Sequence, residues 1–222
     1  MSVSGRGYSM LDYFAKHSSL FMDAFLEHLQ IVFFTLFISL LLASAISYLL
    51  LRSEKATNIV VQFFSAVYSI PSMALFAMLI PVLGLGNATA IPVLVAYNQY
   101  LLIRNIMTGM QNVDKSFLEA GTGMGMSHIQ LVTRVQLPLA MPSIMAGIRL
   151  AIISTTGIAV IAATINAGGL GKVLLSGLRT MNVYKIAWGT ILSVLIALIA
   201  DIALKQAERI VTSRTTEGKT TR

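Results

Sequence analysis

Two opposite charges stand inside otherwise apolar runs: Arg149 between Pro142 and Ala163, and Asp201 near the end of Ile186 to Leu204. A charge in such surroundings faces a bundle interior, pairs with another group, or marks a proton or ion path. A lone carboxylate makes no relay, and Lys205 follows Asp201 by four residues, so a helix-surface ion pair is the simpler reading of Asp201. Arg149 lies 11 residues past Pro138, about 16 Å along a helix. It reads as a structural charge that snorkels or pairs with a neighbouring subunit, since a guanidinium would repel a cationic ligand. Neutral polar groups gather in or near the apolar runs 88–104 and 142–164: Asn98, Gln99, Ser154, Thr155, Thr156, Thr164 and Asn166. They can hydrogen-bond between helices or line a polar path, and the two roles are compatible. Pro71 stands mid-run, either as a tolerated kink or as a broken helix at a gate. Gly168, Gly169 and Gly171 read as a turn.

Other chemistry is excluded. The chain has no cysteine, which removes disulfides, thiolate metal sites and a thiol nucleophile. His17, His28 and His128 are too scattered for a metal site. No G-x-x-x-x-G-K-[ST] loop is present to cradle nucleotide phosphates. The net charge of +7 is spread between apolar runs rather than gathered in a patch, which argues against nucleic acid.

The elements that position these residues follow from composition. Of 222 residues, 56% are hydrophobic and 11% charged, whereas soluble domains carry about 25% charged residues. A helix crossing the hydrocarbon core needs about 20 apolar residues. Five stretches approach this: 31–51, 59–80, 88–104, 142–164 and 186–204. An all-α bundle follows, because helices satisfy their own backbone groups in lipid. Basic residues fix the orientation. With the N-terminus outside, ten of them fall in inner segments and five in outer ones, which favours N-out and C-in. Residues 1–30 form an outer segment in which Leu20, Phe21, Ala24, Phe25 and Leu29 recur near helical spacing. This is an interfacial helix or an extension of the first span. The first apolar run starts too late for a cleaved signal peptide. Residues 205–222 form an inner tail, polar and disordered from Thr212.

Between the third and fourth spans, Asn105 to Met141 is too long for a plain connector. It reads as two short helices hinged at Gly125, the first capped by Asp114 or Ser116 and the second by Ser127. Pro138 and Pro142 suit the first turn of the next span. The order Glu119-Ala120-Gly121, three residues, Gly125, nine residues, Val135-Gln136-Leu137-Pro138 resembles the EAA loop of ABC importer permeases. It departs from E-A-A-x3-G-x9-I-x-L-P at Gly121 and Val135, and Gly121 loosens its helix by up to about 1 kcal/mol relative to alanine. Ser69-Ile70-Pro71-Ser72, Ile80 to Gly86, Ile144 to Arg149, and Ala167 to Gly171 with Gly177-Leu178 resemble stretches of osmoprotectant permeases.

The resemblance implies a type I ABC importer permease with five transmembrane helices and a cytoplasmic coupling helix within 111–138. It implies docking and turn roles for Glu119, Ala120, Gly121, Gly125, Leu137 and Pro138. The pathway or gate candidates are Pro71, Tyr97, Asn98, Thr155, Thr156, Asn166, Gly168 and Gly169, and Tyr68, Tyr97 and Tyr100 could meet a quaternary ammonium through cation–π contact. The implied partners are an ABC ATPase dimer that binds the ATP, a second permease, identical or homologous, an extracytoplasmic substrate-binding protein, and the bacterial cell membrane. This chain itself would carry no cofactor and no catalytic site. The implied cargo is glycine betaine, carnitine, choline or a related quaternary amine. A methionine-type amino-acid importer is the alternative within the class. An ion-coupled secondary transporter and a non-transporting scaffold are rivals outside it; the first predicts intramembrane acids or inverted repeats, and the second leaves the elbow idle.

Overall fold

The computed structural model describes residues 9–216, and every regular element in it is helical. The elements are α1 (Met10–Lys16), α2 (Ser18–Leu50), α3 (Glu54–Ser69), α4 (Ser72–Leu83), α5 (Asn87–Gln111), α6 (Lys115–Gly123), α7 (His128–Leu131), α8 (Leu137–Ala162), α9 (Gly169–Arg179) and α10 (Val183–Thr216). The first eight and the last six residues lie outside this description, and with them the end of the polar tail.

Three rods are long and apolar enough to cross a bilayer: α2, the continuous stretch His128–Ile165, and Val183–Arg209 of α10. A fourth arises if α3 and α4, bent by 95° at their break, count as one span. The remaining expected span, α5, is 25 residues long, but Asn98, Gln99 and Arg104 dilute its hydropathy below what the other rods show.

Helix α2 is one piece from Ser18, so Leu20 to Leu29 extend the first rod and do not form a separate surface helix. Its buried face runs Phe21, Ala24, His28, Ile31, Thr35, Ser39, Ala43, Ser47 and Leu50. From Thr35 to Ser47 that face has a small residue at every fourth position, which lets another helix backbone approach closely. The opposite face exposes Phe33, Phe37, Leu41 and Leu49, side chains suited to acyl chains.

The break between α3 and α4 has a local cause. Pro71 has no N–H and drives Ile70 to extended geometry, with ψ of 132°. The freed Ile70 carbonyl accepts the hydroxyl hydrogen of buried Tyr97 from α5. The stretch 59–80, read as a continuous span, is thus two helices meeting at a satisfied corner.

Helix α5 is the hub. It packs on α8, α2, α3 and α4, and buried residues line most of its circumference. Its seam with α8 is built from small groups. A Cβ on Gly147 would lie 2.6 Å from Asn105 Cβ, and one on Gly109 would lie 2.8 Å from Ser143 Cβ. The Ser143 hydroxyl donates to the Asn105 carbonyl at 2.8 Å.

At the other end of the bundle, α9 and α10 fold back, and α1 is fastened to them. The Trp188 indole N–H donates to the Met10 carbonyl at 2.9 Å, and Tyr13 stacks on Tyr184 at 5.0 Å. Helix α10 continues to Thr216, through the start of the stretch expected to be disordered.

Candidate functional site

The elbow between α5 and α8 is assembled from local signals. The Asp114 carboxylate caps α6 by accepting the Ser116 N–H at 2.9 Å. At the other end, Gly125 N–H donates to the Thr122 carbonyl at 2.9 Å and Met126 N–H to the Gly121 carbonyl at 3.1 Å. This paired closure is a Schellman motif. Gly125 supplies the left-handed residue it needs, with φ of +78°. Ser127 then caps α7 in a reciprocal box with Gln130, at 2.8 and 3.4 Å.

Gly121, which departs from the alanine of the EAA pattern, is buried. A Cβ there would fall 2.6 Å from Leu131 Cδ1, so the glycine lets α7 fold tightly against α6. Glu119 and Ala120 are exposed beside it, and Glu119 makes no hydrogen bond or ion pair among the described residues. His128 is exposed as well.

The second half of the elbow is not a separate helix. Helix α7 passes through a π-helical turn, Val132–Gln136, directly into α8. Pro138 is the reason. It has no N–H for the Arg134 carbonyl and its ring would crowd that oxygen, and the wider turn relieves both problems. Leu137 is exposed and Pro138 half-buried at this junction. Any force on the Glu119 surface therefore acts on one end of a 38-residue rod.

The polar residues of the spans separate into two groups. Asn98, Thr155, Thr156 and Tyr97 are buried within the chain. Asn98 Nδ2 donates to Thr155 Oγ1 at 2.8 Å and to Ser39 Oγ at 3.2 Å, joining α5, α8 and α2. Gln99 reaches the Ser39 carbonyl at 3.3 Å. Thr156 bonds back to the Ile152 carbonyl at 2.9 Å. The Asn98, Gln99 and Thr155 bonds hold helices together, whereas the Thr156 bond stays within α8. Pro71 and Asn166, in contrast, are exposed.

Gly168 and Gly169 wrap onto α2. Gly169 N–H donates to the Glu27 carboxylate at 2.9 Å, and a Cβ on Gly168 would lie 2.2 Å from that carboxylate. Fully buried His28 packs against Gly169. Neither Glu27 nor His28 stood out in the sequence, since nothing local links them to a loop 140 residues on.

One further set was read only in part from the sequence, which singled out Tyr100 but not the stripe it belongs to. The exposed stripe of α5 runs Ala88, Pro92, Arg104 and Thr108, with half-buried Ala96 and Tyr100 in register. The spacing of four was visible, but it gains meaning only once every other face of α5 is known to be covered. A stripe of small residues, one tyrosine and one arginine is unsuited to lipid.

Arg149 pairs inside its own chain. It lies 3.5 Å from Asp201 and 3.7 Å from Glu208, and Lys205 approaches Asp201 at 2.7 Å. Arg149 thus ties α8 to α10.

An all-helical membrane bundle with a capped elbow projecting before one long rod defines a class, the permease subunit of a binding-protein-dependent transporter. The chain belongs to the family of binding-protein-dependent transport system inner membrane components, which it matches over residues 25–216. It is a membrane transport component of the bacterial cell membrane. It is 36% identical over 192 residues to the glycine betaine/carnitine/choline transport system permease protein OpuCB of Bacillus subtilis, covering 86% of this chain and 88% of that one. It is 31% identical over 201 residues to the carnitine transport permease protein OpuCD of Listeria monocytogenes, covering 90% of each. Among solved structures, an inward-facing MetNI methionine ABC transporter chain superposes with a TM-score of 0.80 at 21% identity, over 88% of this chain and 98% of that one. At that identity the likeness concerns the fold.

Proposed function

We propose that this chain is the permease subunit of an ATP-driven ABC importer and forms the translocation pathway for osmoprotectants such as glycine betaine, carnitine or choline. The observation that carries the reading is the elbow, a doubly capped, glycine-turned bracket with free Glu119 at its surface, continuous with α8. A bracket of this kind converts motion of a docked ATPase into tilting of a rod, which is how alternating access is driven. Helix α5 is the fifth span in this reading, shielded from lipid by its neighbours. The N-terminus lies outside and the C-terminus inside.

The pathway runs between two permease subunits along the free stripe of α5. Two ATPase subunits hold the ATP, and an extracytoplasmic binding protein delivers the cargo. The cargo class is supported by the relatives' names and by the Ser69–Ser72 and Ala167–Gly171 stretches.

The complete importer in proteoliposomes, loaded with ATP, tests this with radiolabelled glycine betaine, carnitine, choline and methionine. ATP-dependent uptake of the quaternary amines is expected. Uptake of methionine alone would refute the cargo. Uptake that persists without ATP and collapses with an ion gradient would refute the class.

A further inference from the structure

We infer that Tyr100 and Arg104 of α5, with Tyr68 of α3, form a transient seat in the pathway for a carboxylated quaternary amine, a zwitterion rather than a plain cation. The inference rests on the cargo class proposed above and adds a site and a preference within it.

Arg104 is the one charged residue on the free stripe of α5. Unlike Arg149, it faces no carboxylate among the described ion pairs. One of its five donors is used, with Nη1 donating to Tyr100 Oη at 2.6 Å. The guanidinium carbon stands 5.6 Å from the centre of the Tyr100 ring. That contact holds the guanidinium against α5 and leaves its remaining N–H groups for an incoming anion. A planar guanidinium grips a carboxylate through two parallel hydrogen bonds.

The aromatic half lies beside it. Tyr68 packs 5.2 Å from Tyr100 and 5.5 Å from Tyr97, ring centre to ring centre. Tyr97 is buried with its hydroxyl on Ile70, so it forms a fixed wall. Tyr68 and Tyr100 remain half-buried at the edge of the free face. Ring faces attract a quaternary ammonium, more strongly where water is excluded. Because Arg104 already stands over Tyr100, the ammonium would lean on Tyr68.

The two halves differ in what they select. A bare organic cation would meet the rings but be repelled by Arg104. A carboxylated amine cancels that repulsion and gains the two-point contact. Glycine betaine and carnitine carry both groups, and choline lacks the carboxylate.

The test compares kcat for glycine betaine and choline in the reconstituted importer, using one binding protein throughout so that its own selectivity cancels. Arg104→Gln should lower the glycine betaine to choline ratio at least tenfold. Tyr100→Phe keeps the ring but removes the hydroxyl that holds the guanidinium, and should lower the ratio at least threefold. Tyr68→Leu should slow both substrates by similar factors. If Arg104→Gln slows both substrates equally, the seat is refuted and Arg104 is only an anchor to the inner membrane surface. If Arg104→Gln does not accumulate, Tyr100→Phe decides, and an unchanged ratio refutes the seat. A wild-type importer that moves choline but neither carboxylated amine overturns the seat and leaves the cargo class standing. One that moves none of the three overturns both.

Discussion

Replacing Gly125 with alanine should open the elbow, while the same change at Gly123 should not. Neither glycine has a neighbouring atom within 4 Å of where a Cβ would stand, so packing contributes nothing at either position. What differs is the backbone. Gly125 holds φ of +78°, and an L-residue there costs about 1–2 kcal/mol. Gly123 is the last helical residue of α6, where alanine gains up to about 1 kcal/mol over glycine. The two variants should therefore differ by about 1–3 kcal/mol in local stability, or about 5- to 150-fold in the opening constant of the elbow. Hydrogen exchange of peptides spanning 115–131, measured on the full chain in lipid nanodiscs without partners, reads that constant directly. Faster exchange is expected for Gly125→Ala only, with slower uptake by the assembled importer. Equal exchange in the two variants, or faster exchange for Gly123→Ala, would refute the claim that the turn depends on left-handed geometry.

Tyr97→Phe should lower the thermal midpoint of the detergent-solubilised chain. It strands the part-buried Ile70 carbonyl at the α3–α4 corner, and since a fully buried unsatisfied acceptor costs about 1–3 kcal/mol, the loss should fall at or below the low end of that range; an unchanged midpoint would mean that another donor reaches that oxygen. In the same assay Arg149→Met should be more damaging than Lys205→Met. Arg149 serves two half-buried carboxylates, whereas Lys205 is more than half exposed and its pair contributes about 1 kcal/mol at most. The reverse order would show that α8 and α10 do not depend on Arg149.

Much of the elbow was legible in the sequence because its signals are local. Asp114, Ser127, Gly125 and the prolines each act within four residues of themselves, through capping, handedness or a missing donor. The apolar rods were legible for a similar reason, since a run such as Ile31 to Leu51 announces its solvent. Where helices begin and break was less clear. The sequence offered a kink or a break at Pro71, and the corner seen is satisfied by Tyr97, 27 residues away, whose hydroxyl donates to the Ile70 carbonyl. The extension of α2 back to Ser18 likewise depended on α9 and α10 packing over Phe21.

The inner polar residues were named without their allegiance. Composition cannot say whether Asn98 and Thr155 face a path or each other, because both arrangements place the same groups at the same depth. The stripe containing Tyr100 and Arg104 was obscured for the opposite reason. Its significance lies in what fails to cover it, and that is a property of the whole bundle.

The Asn98 junction constrains how such a protein can move. Its three helices are pinned by buried side-chain amide and hydroxyl groups. Sliding α5 by one residue against α2 or α8 would strand those groups in hydrocarbon-like surroundings. The subunit core is thereby made stiff as a block, and if the chain works as the paired permease proposed above, its cycle must find its play elsewhere, at the boundary between two such blocks and in the elbow.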